Sequence, residues 1–161
     1  MDTLTQDEEQ RISRLEKYIA KAEESLESLN KSLQNGAFEA FTEEQIRFHL
    51  SHDPDLIADC GLLVAKFRRA LTYAELDTKV IKAQLWKRCN QRKEDLGLSN
   101  AKDREAFVQT DPQYISACQQ EFEWRYQLER MQIIYDRYNN LYIASRKLAS
   151  MFTKEMYDHG I

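Results

Sequence analysis

Glycine and proline are scarce in this chain of 161 residues, which contains four glycines and two prolines. So few chain breakers argue against a β-sandwich or barrel with many turns, and against a disordered chain rich in Pro and Gly. No pair of glycines has the spacing of a dinucleotide-binding turn or of a P-loop, which excludes nucleotide enzymes of those two designs. The composition therefore predicts a fold made of a few long helices.

Long apolar runs and a disulfide framework are also lacking. The longest apolar run, around residues 62–65, is far too short to cross a bilayer, and the N-terminal residues lack the basic and apolar regions of a signal peptide. Cys60, Cys89 and Cys118 are odd in number and widely spread, as expected of reduced thiols. We therefore expect a cytoplasmic protein with no membrane partner.

A heptad pattern in the segment 1–36 predicts a coiled-coil helix from about Thr5 to Asn35. Thr5 and Glu8 fit a capping box at its start, and Gly36 fits the position just beyond its end. Apolar residues recur at alternating spacings of three and four, which gives a narrow stripe that needs a partner helix from the same chain or from another subunit. The stripe consists of Ile12, Leu15, Ile19, Ala22, Leu26, Leu29 and Leu33.

The segment 37–161 contains two Asp-Pro pairs, Asp53-Pro54 and Asp111-Pro112, and each predicts the start of a long helix. Asp caps a helix, and Pro is tolerated at the first helical position because its missing N–H would have no partner there. The long helices are expected over about 53–95, before Gly97, and over 111–158. Short helices are expected ahead of them, at 42–50 with Thr42 as N-cap and from Ser99 to Val108.

Both long helices carry an apolar face, and faces of this length are buried by side-by-side packing. The expected fold class is all-α: a long antiparallel helical hairpin with short connecting helices and an N-terminal coiled-coil helix, assembled into an oligomer. On the first long helix the apolar seam is Ile57, Cys60, Val64, Phe67, Leu71, Ala74, Ile81 and Leu85. The candidate oligomerisation residues are Ile12, Leu15, Ile19, Leu26, Leu29, Leu33, Tyr135, Tyr138, Leu141 and Leu148.

Charge is distributed unevenly along the chain, although the formal net charge is only -4. Residues 1–61 hold 6 basic and 14 acidic side chains, whereas residues 62–104 hold 11 basic and 5 acidic ones. An anionic ligand would be attracted to the basic middle and repelled by its acidic flanks. The alternative is that charged helices show such asymmetry by chance.

Groups that could carry catalysis or hold a metal are sparse. His49 and His52 lie three residues apart, a spacing that can bind a metal, but no third ligand is identifiable in the sequence. A pair of exposed histidines near a helix end is the simpler interpretation. No Ser-His-Asp or Cys-His arrangement is visible. We therefore expect no enzyme, no metal and no cofactor.

The densest basic stretch lies at residues 79–93, with a smaller patch of Lys66, Arg69 and Tyr73 upstream. Basic groups neutralise phosphates, and an aromatic ring can stack on an unpaired base. Helical spacing predicts one face shared by Lys79, Lys82, Trp86 and Lys93. The alternative is that Trp86 is a core residue and the lysines are its solvated neighbours. The candidate nucleic-acid-binding residues are Lys79, Lys82, Trp86, Lys87, Arg88, Arg92 and Lys93.

Residues 65–158 resemble the phage recombination mediators of the UvsY type. The resemblance rests on Tyr73-Ala74-Glu75-Leu76-Asp77, on Lys79-Val80-Ile81-Lys82-Ala83-Gln84-Leu85, on the short helix and the Thr110-Asp111 cap that follow, and on a last helix rich in tyrosine. The DNA-contacting Lys-Ala-Arg of that family matches at Lys82-Ala83, but Gln84 stands in the third position. Lys79, Lys87, Arg88 and Arg92 are the neighbouring basic groups that could compensate.

The resemblance implies a protein that binds single-stranded DNA and a single-strand binding protein and loads a RecA-like recombinase onto the strand. It also implies a ring-shaped homo-oligomer, heptameric in type, assembled through C-terminal helices. The N-terminal heptad helix is extra to the family pattern. The rival interpretation is a coiled-coil structural or adaptor protein, of the phage scaffold or connector type, without nucleic-acid binding. A small helical protein that counters host defences or modulates transcription is a third.

Overall fold

The computed structural model describes residues 4–34 and 40–158, and these residues form four α-helices with no strand among them. The helices are α1 (Gln6–Gln34), α2 (Ala40–Gln91), α3 (Ala101–Thr110) and α4 (Pro112–Asp158). The all-α fold class is therefore confirmed.

The chain divides into two compact units, whose boundaries fall inside the long helices α2 and α4. Unit 1 consists of the described residues up to Leu63 and those from Met131 onward. Unit 2 consists of Val64–Arg130. The predicted segments 1–36 and 37–161 do not coincide with these units, because α1 belongs to the same unit as the first part of α2 and the last part of α4.

The capping box predicted at the start of α1 is present. The backbone N–H of Glu8 donates to Thr5 Oγ1 at 3.3 Å, and the backbone N–H of Thr5 donates to Glu8 Oε2 at 3.0 Å. These two bonds satisfy donors that have no partner within the helix. Asn35 and Gly36, which the sequence places at the other end, lie outside the described residues.

The predicted break before Asp53 is wrong, since α2 is one continuous helix of 52 residues with Pro54 inside it. A proline within a helix removes a backbone hydrogen bond and typically costs about 3 kcal/mol. His49, Asp53 and Cys60, on either side of the proline, are at most 4% exposed and lie four and seven residues apart. Packing of unit 1 thus requires a single helical register through Pro54, and this outweighs the local start signal.

Other helix ends also differ from the prediction. Thr42 lies inside α2, and α2 ends at Gln91 instead of near residue 95. The N-cap of α3 is Asn100 and not Ser99, because Asn100 Oδ1 accepts the backbone N–H of Asp103 at 2.9 Å.

The start of α4 is confirmed at the second Asp-Pro pair. Asp111 Oδ1 accepts the backbone N–H of Gln113 at 2.8 Å, and Pro112 is the first helical residue. Asp111 and Pro112 therefore act as N-cap and first helical residue, the roles that the sequence predicts for them.

The core of unit 1 forms between α1 and the long helices. The Tyr138 hydroxyl donates to the backbone carbonyl of Leu15 at 3.2 Å, and the Tyr138 ring lies 6.3 Å from the ring of Tyr18. Two ion pairs flank this contact, Arg11 with Asp59 and Arg137 with Glu23. The apolar stripe of α1 is therefore covered by helices of the same chain as far as Ala22, which is also buried.

The core of unit 2 joins α2, α3 and α4. Phe67 and Trp124 pack with ring centroids 5.8 Å apart, and an ion pair joins Glu75 to Arg125 at 3.2 Å. The predicted seam of α2 is its buried face, with the remaining members Ile57, Leu71 and Ile81 partly buried. The fully or largely buried seam residues are Cys60 in unit 1 and Val64, Phe67, Ala74 and Leu85 in unit 2.

Candidate nucleic-acid interface

The basic stretch occupies the last turns of α2 and the turn that follows. Between Thr78 and Lys93 the sequence holds six basic residues and no acidic one. Lys79, Lys82, Lys87 and Arg88 are exposed on α2, and Arg92 and Lys93 are exposed beyond its last residue. The structure therefore presents all six positive charges to solvent within unit 2.

Most of these cations are not neutralised by nearby carboxylates. Arg92 Nε lies 3.4 Å from Asp95 Oδ2. Among the residues that the structure describes, the other five basic side chains of the stretch form no ion pair. A cation without an internal partner is available to an external phosphate, which releases counterions when it binds.

Trp86 lies within the basic stretch on α2 and is partly buried. It packs against a cluster of buried side chains, as do Ile81, Leu96, Phe107 and Tyr114. This contact gives Trp86 a structural role, which is the alternative interpretation of the sequence, and leaves only part of its ring accessible to a base. The cluster consists of Leu85, Cys89, Leu98 and Val108.

Lys93 lies two residues beyond the end of α2, in the turn that follows the helix. The backbone N–H of Leu98 donates to the carbonyl of Lys93 at 2.8 Å, and Leu98 is buried. Gly97 has a φ of +64°, a conformation that costs glycine little because it lacks a Cβ. Lys79, Lys82 and Trp86 lie within α2, and the face that the sequence predicts for them together with Lys93 stays a prediction.

The smaller upstream patch contains an ordered contact between two exposed side chains. The Arg69 guanidinium carbon lies 5.6 Å from the centroid of the Tyr73 ring, and Arg69 Nη2 donates to the Tyr73 hydroxyl at 3.3 Å. Tyr73 is 54% exposed. Lys66 is also exposed, one helical turn before Arg69. Tyr73 is thus a more accessible aromatic ring than Trp86.

The two histidines have different environments. His49 is 4% exposed inside α2, with Nδ1 3.5 Å from Asp53 Oδ1, whereas exposed His52 stacks on Phe48 with ring centroids 4.1 Å apart. The interpretation as two exposed histidines near a helix end is therefore wrong for His49. Within residues 4–34 and 40–158, no three side chains of the His, Cys, Asp or Glu type are grouped as a metal site would require.

A buried polar group accompanies His49 in unit 1. Asp53 Oδ2 and the Tyr18 hydroxyl have no hydrogen-bond partner within the described residues. Burial and, secondarily, the charge of Asp53 raise the pKa of Tyr18. Burial raises the pKa of Cys60 to about 11, and it also raises that of Tyr138. The ionised forms of these groups are disfavoured, so none is poised as a nucleophile near neutral pH.

Five of the ten candidate oligomerisation residues are buried in the interior of unit 1. Ile12, Leu15, Ile19, Tyr138 and Leu141 are buried there within a single chain. Tyr135 and Leu148 are partly buried, and the side chains of Leu26, Leu29 and Leu33 lie outside those that the structure describes. Association through the buried members requires helices to be exchanged between copies, so their role in an oligomer stays a prediction.

Comparison of the chain with protein-family models, with curated proteins and with solved structures found no match. The resemblance to UvsY-type mediators thus rests on the residues quoted for it. In the described part of the chain, no helix combines the length and the apolar character needed to span a bilayer.

Proposed function

We propose that this protein is a non-enzymatic recombination mediator that binds single-stranded DNA and helps to load a RecA-like recombinase onto strand covered by single-strand binding protein. The observation that carries the proposal is the acid-free basic stretch from Thr78 to Lys93, with all of its cations exposed and five of them outside any ion pair with described residues. The resemblance to UvsY-type mediators supports the same function.

The proposed mechanism is electrostatic capture of the strand. Each phosphate neutralised by a lysine or arginine releases counterions, and for a single strand log K falls with log salt at a slope of about -0.7 per contact. If all six cations of the stretch contact phosphates, the slope is about -4. This mode of binding tolerates any sequence, as a mediator acting along a whole strand requires.

We further propose that α2 and α4 form an antiparallel hairpin and that copies of the chain assemble into a ring, heptameric in type. The Phe67–Trp124 and Glu75–Arg125 contacts support side-by-side packing of the two helices in unit 2. Phe122 and Ile133 on α4 are 70% and 60% exposed, and apolar side chains so accessible support association. A ring repeats the basic stretch, so weak sites act together through effective concentration.

The partners in this proposal are single-stranded DNA, the recombinase and the single-strand binding protein, in the cytoplasm of the host cell if the chain is phage-encoded. The acidic segment 1–61 repels DNA and is suited to a basic surface on one of the protein partners.

A titration of fluorescently labelled oligo-dT with the full chain, repeated at several salt concentrations, tests the proposal. Binding should weaken steeply with salt, and Lys82→Ala should weaken it further and make the salt slope shallower by about 0.7. Lys147→Ala is the matched control, since Lys147 is exposed on α4 in unit 1 and its loss changes the net charge equally. The absence of binding even at low salt would refute the proposal.

The second candidate is a coiled-coil structural or adaptor protein of the phage scaffold or connector type. The exposed apolar side chains of α4 favour it as much as they favour a ring. A structural or adaptor role does not explain why the stretch from Thr78 to Lys93 holds six exposed cations and no carboxylate. In the same titration it predicts no binding that depends on Lys82, and sedimentation would still report an assembled chain.

A further inference from the structure

One face of α2 in unit 2 points away from the core and carries exposed apolar side chains. Its apolar members, Tyr73, Leu76 and Val80, are 54%, 51% and 51% exposed. Arg69 and Lys87 continue the same face at its two ends, because a helix turns about 100° per residue and these positions repeat at spacings of three, four and seven. We call Arg69, Tyr73, Leu76, Val80 and Lys87 the outward face; the buried residues Phe67, Ala74 and Leu85 lie on the opposite side.

The aromatic ring of this face contacts a guanidinium on the same helix. Arg69 Nη2 donates to the Tyr73 hydroxyl at 3.3 Å, and its guanidinium lies 5.6 Å from the ring centroid. The two residues lie one turn apart on α2, so this contact lowers the side-chain freedom that binding would otherwise remove. The ring is still about half exposed, which leaves room for a flat ligand to stack on it.

We propose that the outward face is the track for an unpaired nucleic-acid strand, with Tyr73 as the base-stacking platform and Arg69 and Lys87 as phosphate contacts. This inference rests on the proposed function. Of the cations in the basic stretch, Lys87 lies on the outward face, whereas Lys82 lies about 140° around α2 from Lys87, so the outward face supplies contacts additional to that of Lys82. At about 1.5 Å per residue, Arg69 and Lys87 are about 27 Å apart along α2, a length that accommodates several nucleotides. Leu76 and Val80 supply apolar surface for the bases that follow.

Two features favour a strand over a second copy of the same face. Lys66 and Lys79 are exposed at the borders of the outward face. Between Arg69 and Lys87 the sequence holds two acidic residues, Glu75 and Asp77, and Glu75 pairs with Arg125. Two such faces brought together would juxtapose like charges, which disfavours self-association. A polyanion with stacking bases satisfies both the cations and the ring.

The test is a titration of labelled oligo-dT with full-length variants at one low salt concentration, followed by a salt series. Tyr73→Ala should weaken binding by about 5- to 150-fold without changing the salt slope, whereas Tyr73→Phe, which keeps the ring, should bind nearly as well as the parent chain. Arg69→Ala should make the slope shallower by about 0.7. Tyr126→Ala is the matched control, because Tyr126 is a 53% exposed tyrosine on α4.

The outcomes separate this inference from the function on which it rests. If the parent chain binds oligo-dT and Tyr73→Ala binds as well as Tyr126→Ala, the outward face is not the track, although strand binding stands. If the parent chain does not bind, the proposed function itself fails. If Tyr73→Ala instead lowers the sedimentation coefficient of the DNA-free protein, the face is a contact between copies and the inference is overturned. Far-UV circular dichroism of each variant establishes that it is folded.

Discussion

Replacement of Trp86 by alanine should destabilise the protein, because this side chain packs on the buried cluster of unit 2. Removing a fully buried tryptophan typically costs about 3–5 kcal/mol, and a partly buried one should cost less, about 2 kcal/mol. For a chain of this length, 1 kcal/mol corresponds to a shift of about 2–4 °C in Tm. The expected loss is therefore about 4–8 °C.

Urea and thermal unfolding followed by far-UV circular dichroism measure this effect without relying on tryptophan fluorescence. Lys87→Ala, at the adjacent exposed position, is the matched control and should change the free energy of unfolding by less than about 0.5 kcal/mol. Trp86→Phe should recover most of the stability. If the free energy of unfolding of Trp86→Ala lies within about 0.5 kcal/mol of that of the parent chain, which is the usual range for surface substitutions, then the packing role assigned to Trp86 is incorrect.

Two further predictions concern local stability. Asn100→Ala removes the side chain that accepts the Asp103 N–H and should lower the free energy of unfolding by about 1 kcal/mol. Ser99→Ala should have almost no effect. Equal losses of stability for the two variants in urea unfolding would contradict the assignment of Asn100 as the N-cap. The hydrogen bond and charge of Arg137 lower the pKa of Glu23, so this pair stabilises the fold above about pH 5 and the benefit disappears as pH falls through the lowered pKa. Arg137→Gln should therefore be less stable than the parent at pH 7, by under about 1 kcal/mol because both side chains are about 40% exposed. The difference should shrink as pH falls through the lowered pKa of Glu23, and a difference independent of pH would refute the electrostatic origin.

The candidate interface was predictable from sequence in its charge but not in its geometry. Six basic residues without an acidic one between Thr78 and Lys93 can be counted directly, and solvated cations are the usual state of such residues. Such a count does not tell whether the ring of Trp86 or that of Tyr73 is exposed to solvent. That choice depends on which side of α2 meets Leu98 and Val108, two residues that follow in the chain after a turn.

The sequence by itself determined the all-α class, the cap of α1 at Thr5 and the start of α4 at Pro112, because these depend on composition, on 3–4 spacing and on interactions between residues a few positions apart. Only the tertiary structure decided that α2 continues through Pro54 and that the stripe of α1 is covered by its own chain. In the first case burial on both sides of Pro54 outweighs a local signal worth a few kcal/mol. In the second case Leu15 is covered by Tyr138, a residue so distant in sequence that no local pattern identifies it.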